Sequence, residues 1–145
     1  MSEESTIDSL QCVLPLLNLA HLVNVSLKIS FDTDHTSYIM TSITKLLKDT
    51  PNIHTLQFYS QAVNSQIICA IVPRHVKHLK VKINRIKDMK IILEQLDHLV
   101  GITFQYPLCS FNYPPNIIKW LKQRGKSFTF WCNLYQIHLW LHNNL

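Results

Sequence analysis

The side chains in this sequence that could do chemistry are eight histidines, four cysteines and one dense run of basic residues. His75 and His78 stand three apart, a pairing that invites a metal. A strand would place residues three apart on opposite faces, however, so the two rings should diverge. Structural zinc also needs four ligands, usually in tight pairs. The cysteines lie at positions 12, 69, 109 and 132, form no C-x-x-C pair and sit among apolar neighbours. They read as buried free thiols of a reducing compartment. No metal and no cofactor are expected. A Cys–His nucleophilic pair need only meet in space. Yet no G-x-S-x-G, H-E-x-x-H, P-loop or kinase signature is present, and the nine acids offer no obvious carboxylate pair. With only two glycines, a phosphate-cradling loop is also hard to build. The expectation is that the chain is not an enzyme.

The basic run spans 74–90. Arg74, Lys77, Lys80, Lys82, Arg85, Lys87 and Lys90 supply seven of the 14 basic residues, with Asp88 the one acid among them. Such a segment could meet phosphates or an acidic peptide. A strand followed by a helix would send these side chains in several directions, which is the pattern of ordinary solubilising charge. The net charge of +5 speaks to association and not to fold.

The elements that must carry these residues follow from an internal repeat. One pattern recurs: apolar, two variable, apolar, one variable, apolar. It appears at Leu22, Val25, Leu27; at Ile53, Leu56, Phe58; at Val76, Leu79, Val81; and at Leu99, Ile102, Phe104. The last two steps are 23 residues and the first is 31. A weaker fifth copy is Ser127 to Trp131. Within each copy apolar and polar residues alternate, the period of a half-buried strand. Between copies the period becomes helical: Ile39, Ile43, Leu46 and Leu47 share a face, as do Met89, Ile92, Leu93 and Leu96. Pro114 and Pro115 suit the first turn of a helix that Gly125 would stop. Residues 65–72 suit a short helix ended by Pro73, and residues 6–19 a helical segment interrupted at Pro15. At 145 residues, 47% hydrophobic and 16% charged, the chain suits one globular domain. The expected parts are the helical segment 6–19, repeats over 20–125, and a terminal strand and hairpin over 126–145.

Strands and helices in this order imply parallel pairing through right-handed crossovers. A doubly wound sheet would bury both faces and make its strands almost wholly apolar. Here the second set of side chains is polar, so helices cover one face and leave the other wet. The expected fold is α/β, a short leucine-rich-repeat-like solenoid of about five parallel strands, closed by a C-terminal hairpin through Leu134–Gln136 whose last strand is antiparallel. The open face supplies the candidate binding surface. Lys28, Tyr59, Lys82, Gln105 and Trp131 are expected in one row, with Ser26, Gln57, Lys80, Thr103 and Thr129 in the next, and His78 beside them. Tyr and Trp are favoured interface anchors. Phe128, Phe130, Trp131 and Trp140 read as core of the cap rather than a base-stacking platform. Phe128 and Phe130 are expected to be buried together, and Trp131 turned away.

Two stretches, Ile71 to Val81 and Asp88 to Leu99, followed by the ending Ile137-His-Leu-Trp-Leu141, resemble the C-terminal part of large F-box/leucine-rich-repeat-like proteins. The resemblance spans roughly residues 20–142 and is closest from about 70 onward. It implies that the repeats hold a target, as in the substrate receptors of ubiquitin ligases. It does not carry over ligase docking, because Leu14-Pro15-Leu16 has no room around it for a three-helix F-box. The asparagine usual in such repeats occurs once, as Asn84; Ser30, Gln61 and Pro107 stand in its place elsewhere. The function expected is therefore a non-catalytic protein-interaction module of ubiquitin-ligase-adaptor type, with a protein partner and an open oligomeric state. The alternatives are a basic nucleic-acid-binding protein, or a degenerate repeat fragment without independent function. The array reads as the tail of something longer. The acidic N-terminus lacks a signal peptide's pattern, and no apolar run reaches the ~18–20 residues of a membrane helix. A cytoplasmic or nuclear location is expected, with no membrane partner.

Overall fold

A computed structural model describes residues 24–28, 36–59 and 65–142 of the chain. The strands are β1 (Asn24–Lys28), β2 (Thr55–Tyr59), β3 (His78–Lys82), β4 (Gly101–Gln105), β5 (Phe128–Cys132) and β6 (Gln136–Leu141). The helices are α1 (Thr36–Lys48), α2 (Ser65–Ile71), α3 (Ile86–Gln95) and α4 (Tyr113–Gln123). The helical segment expected at 6–19 lies outside the described residues.

All six strands form one mixed sheet in the order β1-β2-β3-β4-β6-β5. β1 to β4 are parallel neighbours in chain order. Their register repeats the spacing of the sequence: Asn24 pairs with Thr55, Thr55 with His78 and His78 with Gly101, steps of 31, 23 and 23. Since β1 to β4 never reverse order, they contain no topological switch point, the place where doubly wound sheets open a ligand crevice.

One strand face is apolar throughout. Leu56 and Phe58, Leu79 and Val81, Ile102 and Phe104, and Ile137, Leu139 and Leu141 are all buried. They join Ile43 and Leu47 of α1, Ile68 and Ile71 of α2, Met89, Ile92 and Leu93 of α3, and Ile117 and Leu121 of α4 in a single core. All four helices therefore cover the same face. The other face keeps His78 and Lys82 exposed and Gln57, Lys80, Gln105, Gln136 and His138 half-buried. This is the one-sided burial that the alternating strands demand.

Helix ends follow local chemistry. Pro114 and Pro115 open α4, where no backbone N–H is needed and φ is already helical. Gly125, at φ 68°, ends it. Its N–H donates to the Lys122 carbonyl, and the Lys126 N–H donates to that of Leu121, the paired bonds of a left-handed helix stop. Between α2 and α3, buried Asp88 accepts from Ser65 Oγ at 2.9 Å and from Arg85 Nε at 3.0 Å. One carboxylate thus ties the start of α2 to the first turn of α3.

The C-terminal end departs from the expected arrangement. β5 is not a fifth parallel neighbour of β4. β6 inserts between them, antiparallel to both. The inner position takes the strand with the better apolar face. Leu139 meets Ile102 and Ile137 meets Phe104, while β5 offers Phe128, Phe130 and Cys132 to that side. The hairpin turn is held by Asn133, whose Oδ1 accepts from the Tyr135 and Gln136 N–H groups and whose carbonyl accepts from Tyr106 Oη at 2.8 Å. Nor does the hairpin close the sheet: β5 is an exposed edge strand. Among the described residues no helix covers β5, and Phe128 is half-buried and Phe130 largely exposed. The expected joint burial of these rings fails for that reason.

Asp88→Ala removes the carboxylate to which the buried Ser65 hydroxyl donates across the helix gap. A loss of about 1–3 kcal/mol is expected in urea denaturation, against less than about 0.5 kcal/mol for exposed Lys87→Ala.

Candidate functional site

The open sheet face is built from rows that the register defines. The middle row runs Ser26, Gln57, Lys80, Thr103, His138, Trp131 across all six strands. A second row runs Asn24, Thr55, His78, Gly101, Trp140, Thr129. A third pairs Lys82 with Gln105 and Gln105 with Gln136, while Lys28 pairs with Tyr59. The side chains of Lys28 and Tyr59 lie outside the described residues. Trp131 therefore sits in the row of Lys80 and Thr103, not that of Lys82 and Gln105. The inserted β6 changes the count, because an antiparallel strand reverses the direction in which residues advance.

Where the first two rows cross β3, β4 and β6, four side chains converge. His138 Nδ1 and Thr103 Oγ1 share a hydrogen bond of 2.5 Å. The His138 ring lies 4.1 Å from the Trp140 ring between centroids. His78 and His138 both lean over Gly101: a Cβ there would come within 2.7 Å of His78 Nδ1 and 3.7 Å of His138 Nε2. A side chain at 101 would occupy the space the rings use. Burial, together with His78 and Lys80 nearby, holds the His138 imidazole below its ordinary proton affinity. A hydroxyl can donate or accept, so Thr103 satisfies Nδ1 whether or not His138 is charged. Neither Gly101 nor His138 was singled out in the sequence. The signal was there for His138, since Ile137, Leu139 and Leu141 alternate and must send His138 and Trp140 the other way.

The aromatic residues expected as cap core are instead largely open: Phe130 is 45%, Trp131 51% and Trp140 41% exposed. Trp131 and Trp140 reach the open face because their cross-strand partners, His138 and Thr129, belong to it. Leu134 and Tyr135 in the hairpin turn, and Leu108 and Phe111 after β4, are also exposed. The Tyr106 N–H donates to the Tyr135 carbonyl and joins those two loops.

Charge is distributed unevenly. None of the six described strands contains Asp or Glu. Among the described residues, Asp88 and Glu94 lie on α3, and Asp49 and Asp97 follow helices. The basic run divides as its elements require. Lys80 and Lys82 face the open side, Arg85 pairs with Asp88, and Lys90 lies 5.9 Å from the Trp120 centroid on the helical side. There a cavity of about 230 Å³ is lined by Leu93, Trp120, Arg124 and Leu141. Arg124 is paired with Glu94 and lies 4.6 Å from the Trp120 centroid, so its charge is already engaged.

Other candidates are scattered. His75 precedes β3 with its Nε2 buried, while His78 faces the sheet's open side. Among the described residues, no group of three or more His, Cys, Asp or Glu could hold a metal. Cys69 is half-buried and its thiol is pushed up to about 11 by burial. Cys109 and Cys132 are exposed, contrary to expectation, because one lies in a surface loop and the other on the uncovered edge strand. Cys12 lies outside the described residues. No described helix is long and apolar enough to cross a membrane.

No protein-family model matches the chain, and no curated protein matches it. Among solved structures the chain is similar to that of M. capricolum TrmK in complex with the natural cofactor product S-adenosyl-homocysteine. The likeness is 12% identical, covers 98% of this chain and 69% of that one, and has a TM-score of 0.34. The expectation that the chain is not an enzyme is corrected on this finding. That expectation rested on missing motifs, and a short motif is silent about a site assembled from separate strands. A likeness this weak carries no cofactor and no reaction over to this chain.

The folded His138 holds its proton less tightly than an unfolded histidine. So does His98, which burial and then Lys77 push in the same direction. On acidification the unfolded chain takes these protons first, so the stability present above about pH 6.5 is lost as pH falls below it. The urea midpoint is expected to drop between about pH 7.5 and 5.5, with a shallower drop for His98→Gln and for His138→Gln. An equal slope in all three proteins would exclude both histidines as its source.

Proposed function

We propose that this chain is a leucine-rich-repeat-type array whose open sheet face docks another protein. In that reading it corresponds to the target-binding repeats of an F-box-type substrate receptor. The observation that carries it is the middle row, Gln57, Lys80, Thr103, His138 and Trp131. It crosses the sheet opposite the helices and mixes polar groups with an exposed aromatic ring. The 23-residue step shared by β2 to β3 and β3 to β4, the unreversed order of β1 to β4 and the helices gathered on one face support the repeat reading. Repeat arrays of this kind use the sheet side as an extended binding surface. Trp131 and Trp140 are the natural anchors there, being large, rigid and partly exposed.

Nucleic acid is less well served. Phosphate binding draws on many cations along one track, and this chain turns Arg85 and Lys90 away from Lys80 and Lys82.

A crosslinking experiment tests the face assignment. A photoreactive group at position 129 or 136, beside the middle row, should capture a partner from cell extract. Trp131→Ala combined with Lys80→Glu should reduce that capture about tenfold or more, since anchor and charge losses at an interface each cost on the order of 2 kcal/mol. The same group at exposed Lys119 on α4 should not capture that partner. Capture from Lys119 that is insensitive to Lys80 and Trp131 would move the interface to the helical side.

A further inference from the structure

We infer that the subsite over Gly101, formed by His78, Lys80, Thr103 and His138 and flanked by Trp131 and Trp140, takes a carboxylate side chain from an extended acidic segment of a protein partner. This inference rests on the docking role proposed for the same face.

Three observations point to an anion. First, none of the six strands carries Asp or Glu, so the groups of this face have no acid beside them in the sheet. A carboxylate from outside would complement Lys80 and Lys82, which have no acid beside them among the described strands. Second, the donors converge. The glycine at 101 leaves room for two imidazole rings to lean together, and Lys80 lies one residue pair from Thr103 and two from His138 in the same row. Third, the flanks are large apolar rings. Trp140 packs at 4.1 Å from His138 and stays partly exposed, and Trp131 is the cross-strand partner of His138. Large rings beside a charged subsite limit the water there and strengthen a charge-assisted bond.

The occupant is a peptide segment with one or two acids between apolar residues. The face has two described lysines and two histidines in a patch bordered on its β6–β5 side by tryptophans, not a long cationic track. That suits isolated carboxylates better than a phosphate backbone. The site should also respond to pH. His138 faces His78 and Lys80 from β3; β4 and β5 present only Gly101, Thr103, Thr129 and Trp131 to it, none of them charged. Acidification adds a proton to His138 while the ligand's carboxylate, ordinarily near 4, stays ionised. Attraction then rises as pH falls, and the bound carboxylate favours the charged imidazole.

Selection of random peptides on the intact 145-residue chain tests this, followed by fluorescence polarisation of the selected peptide. Enrichment in Asp or Glu is expected, and the Asn/Gln version of that peptide should bind about tenfold or more weakly. Lys80→Glu should weaken binding to a similar degree. Gly101→Ala, which changes no charge, should weaken it several-fold by pushing His78 aside. Binding should tighten between about pH 7.5 and 5.5, and His138→Gln should flatten that response. Circular dichroism and urea midpoints establish that each variant is folded. Selected peptides without acids, yet sensitive to Lys80→Glu and Trp131→Ala, would overturn the carboxylate assignment and leave the docking role standing. Peptides indifferent to every face variant, or no selected peptide, would overturn both. A single-stranded RNA that binds the wild type more tightly than the peptide, and competes with it, would overturn the acidic-protein assignment.

Discussion

One row of side chains sets the register of the sheet. Leu56, Leu79, Ile102 and Leu139 stand in line across β2, β3, β4 and β6 and are essentially inaccessible to solvent. Phe58, Val81, Phe104 and Ile137 form a similar apolar layer one step on. In a strand the side chains alternate with a period of two, so a slip of one residue would send Lys80 into the core and Leu79 into water. Burying a Leu or Ile of this size contributes about 1.5–3 kcal/mol, and the slip would also bury an unpaired charge. The polar row that includes Lys80, Thr103 and His138 is held mainly from below: the Thr103–His138 hydrogen bond fastens one pair of it, and the apolar row beneath aligns the rest.

That dependence explains what could be read from the sequence. The apolar spacing at Ile53, Leu56 and Phe58, repeated after 23 residues and again after 23, is the direct imprint of the register, and the paired residues recover both steps. The changes of period between strands placed α1, α3 and α4, and Pro114, Pro115 and Gly125 marked the ends of α4 through backbone chemistry local to those residues. The choice of open-face residues on β2, β3 and β4 followed from the same alternation.

What could not be read there is the order of strands at the C-terminal end. A sequence pattern gives a strand its two faces, but not its neighbours. β5 and β6 both alternate, and both could pair with β4. The decision depends on three aliphatic residues in β6 against two phenylalanines and a cysteine in β5, and on where the helix layer stops. From that one difference came the displaced position of Trp131, the exposure of Phe130 and the exposure of Cys132. The convergence on Gly101 was hidden for a related reason. A glycine in a strand reads as a weak point of packing, and its value as open space appears only when β3 and β6 bring His78 and His138 to it from either side.

The inserted strand also changes the character of the face. Had β5 paired with β4, a fifth parallel strand would have continued the pattern and placed Thr129 or Trp131 beside Thr103. With β6 there instead, the neighbours of β4 on the open side are Gln136, His138 and Trp140. The sheet then has a lysine-bearing strand on one flank of β4 and a histidine- and tryptophan-bearing strand on the other. β4 itself contributes almost no bulk, with only Gly101, Thr103 and Gln105 on that side. β4 therefore lies between two flanks of different chemistry, Lys80 and Lys82 on β3 and His138 and Trp140 on β6. A uniform parallel array repeats each strand at the same offset and keeps one chemistry on both sides. The irregular end of this sheet is where the two flanks come to differ, and the regular strands before it fix their register.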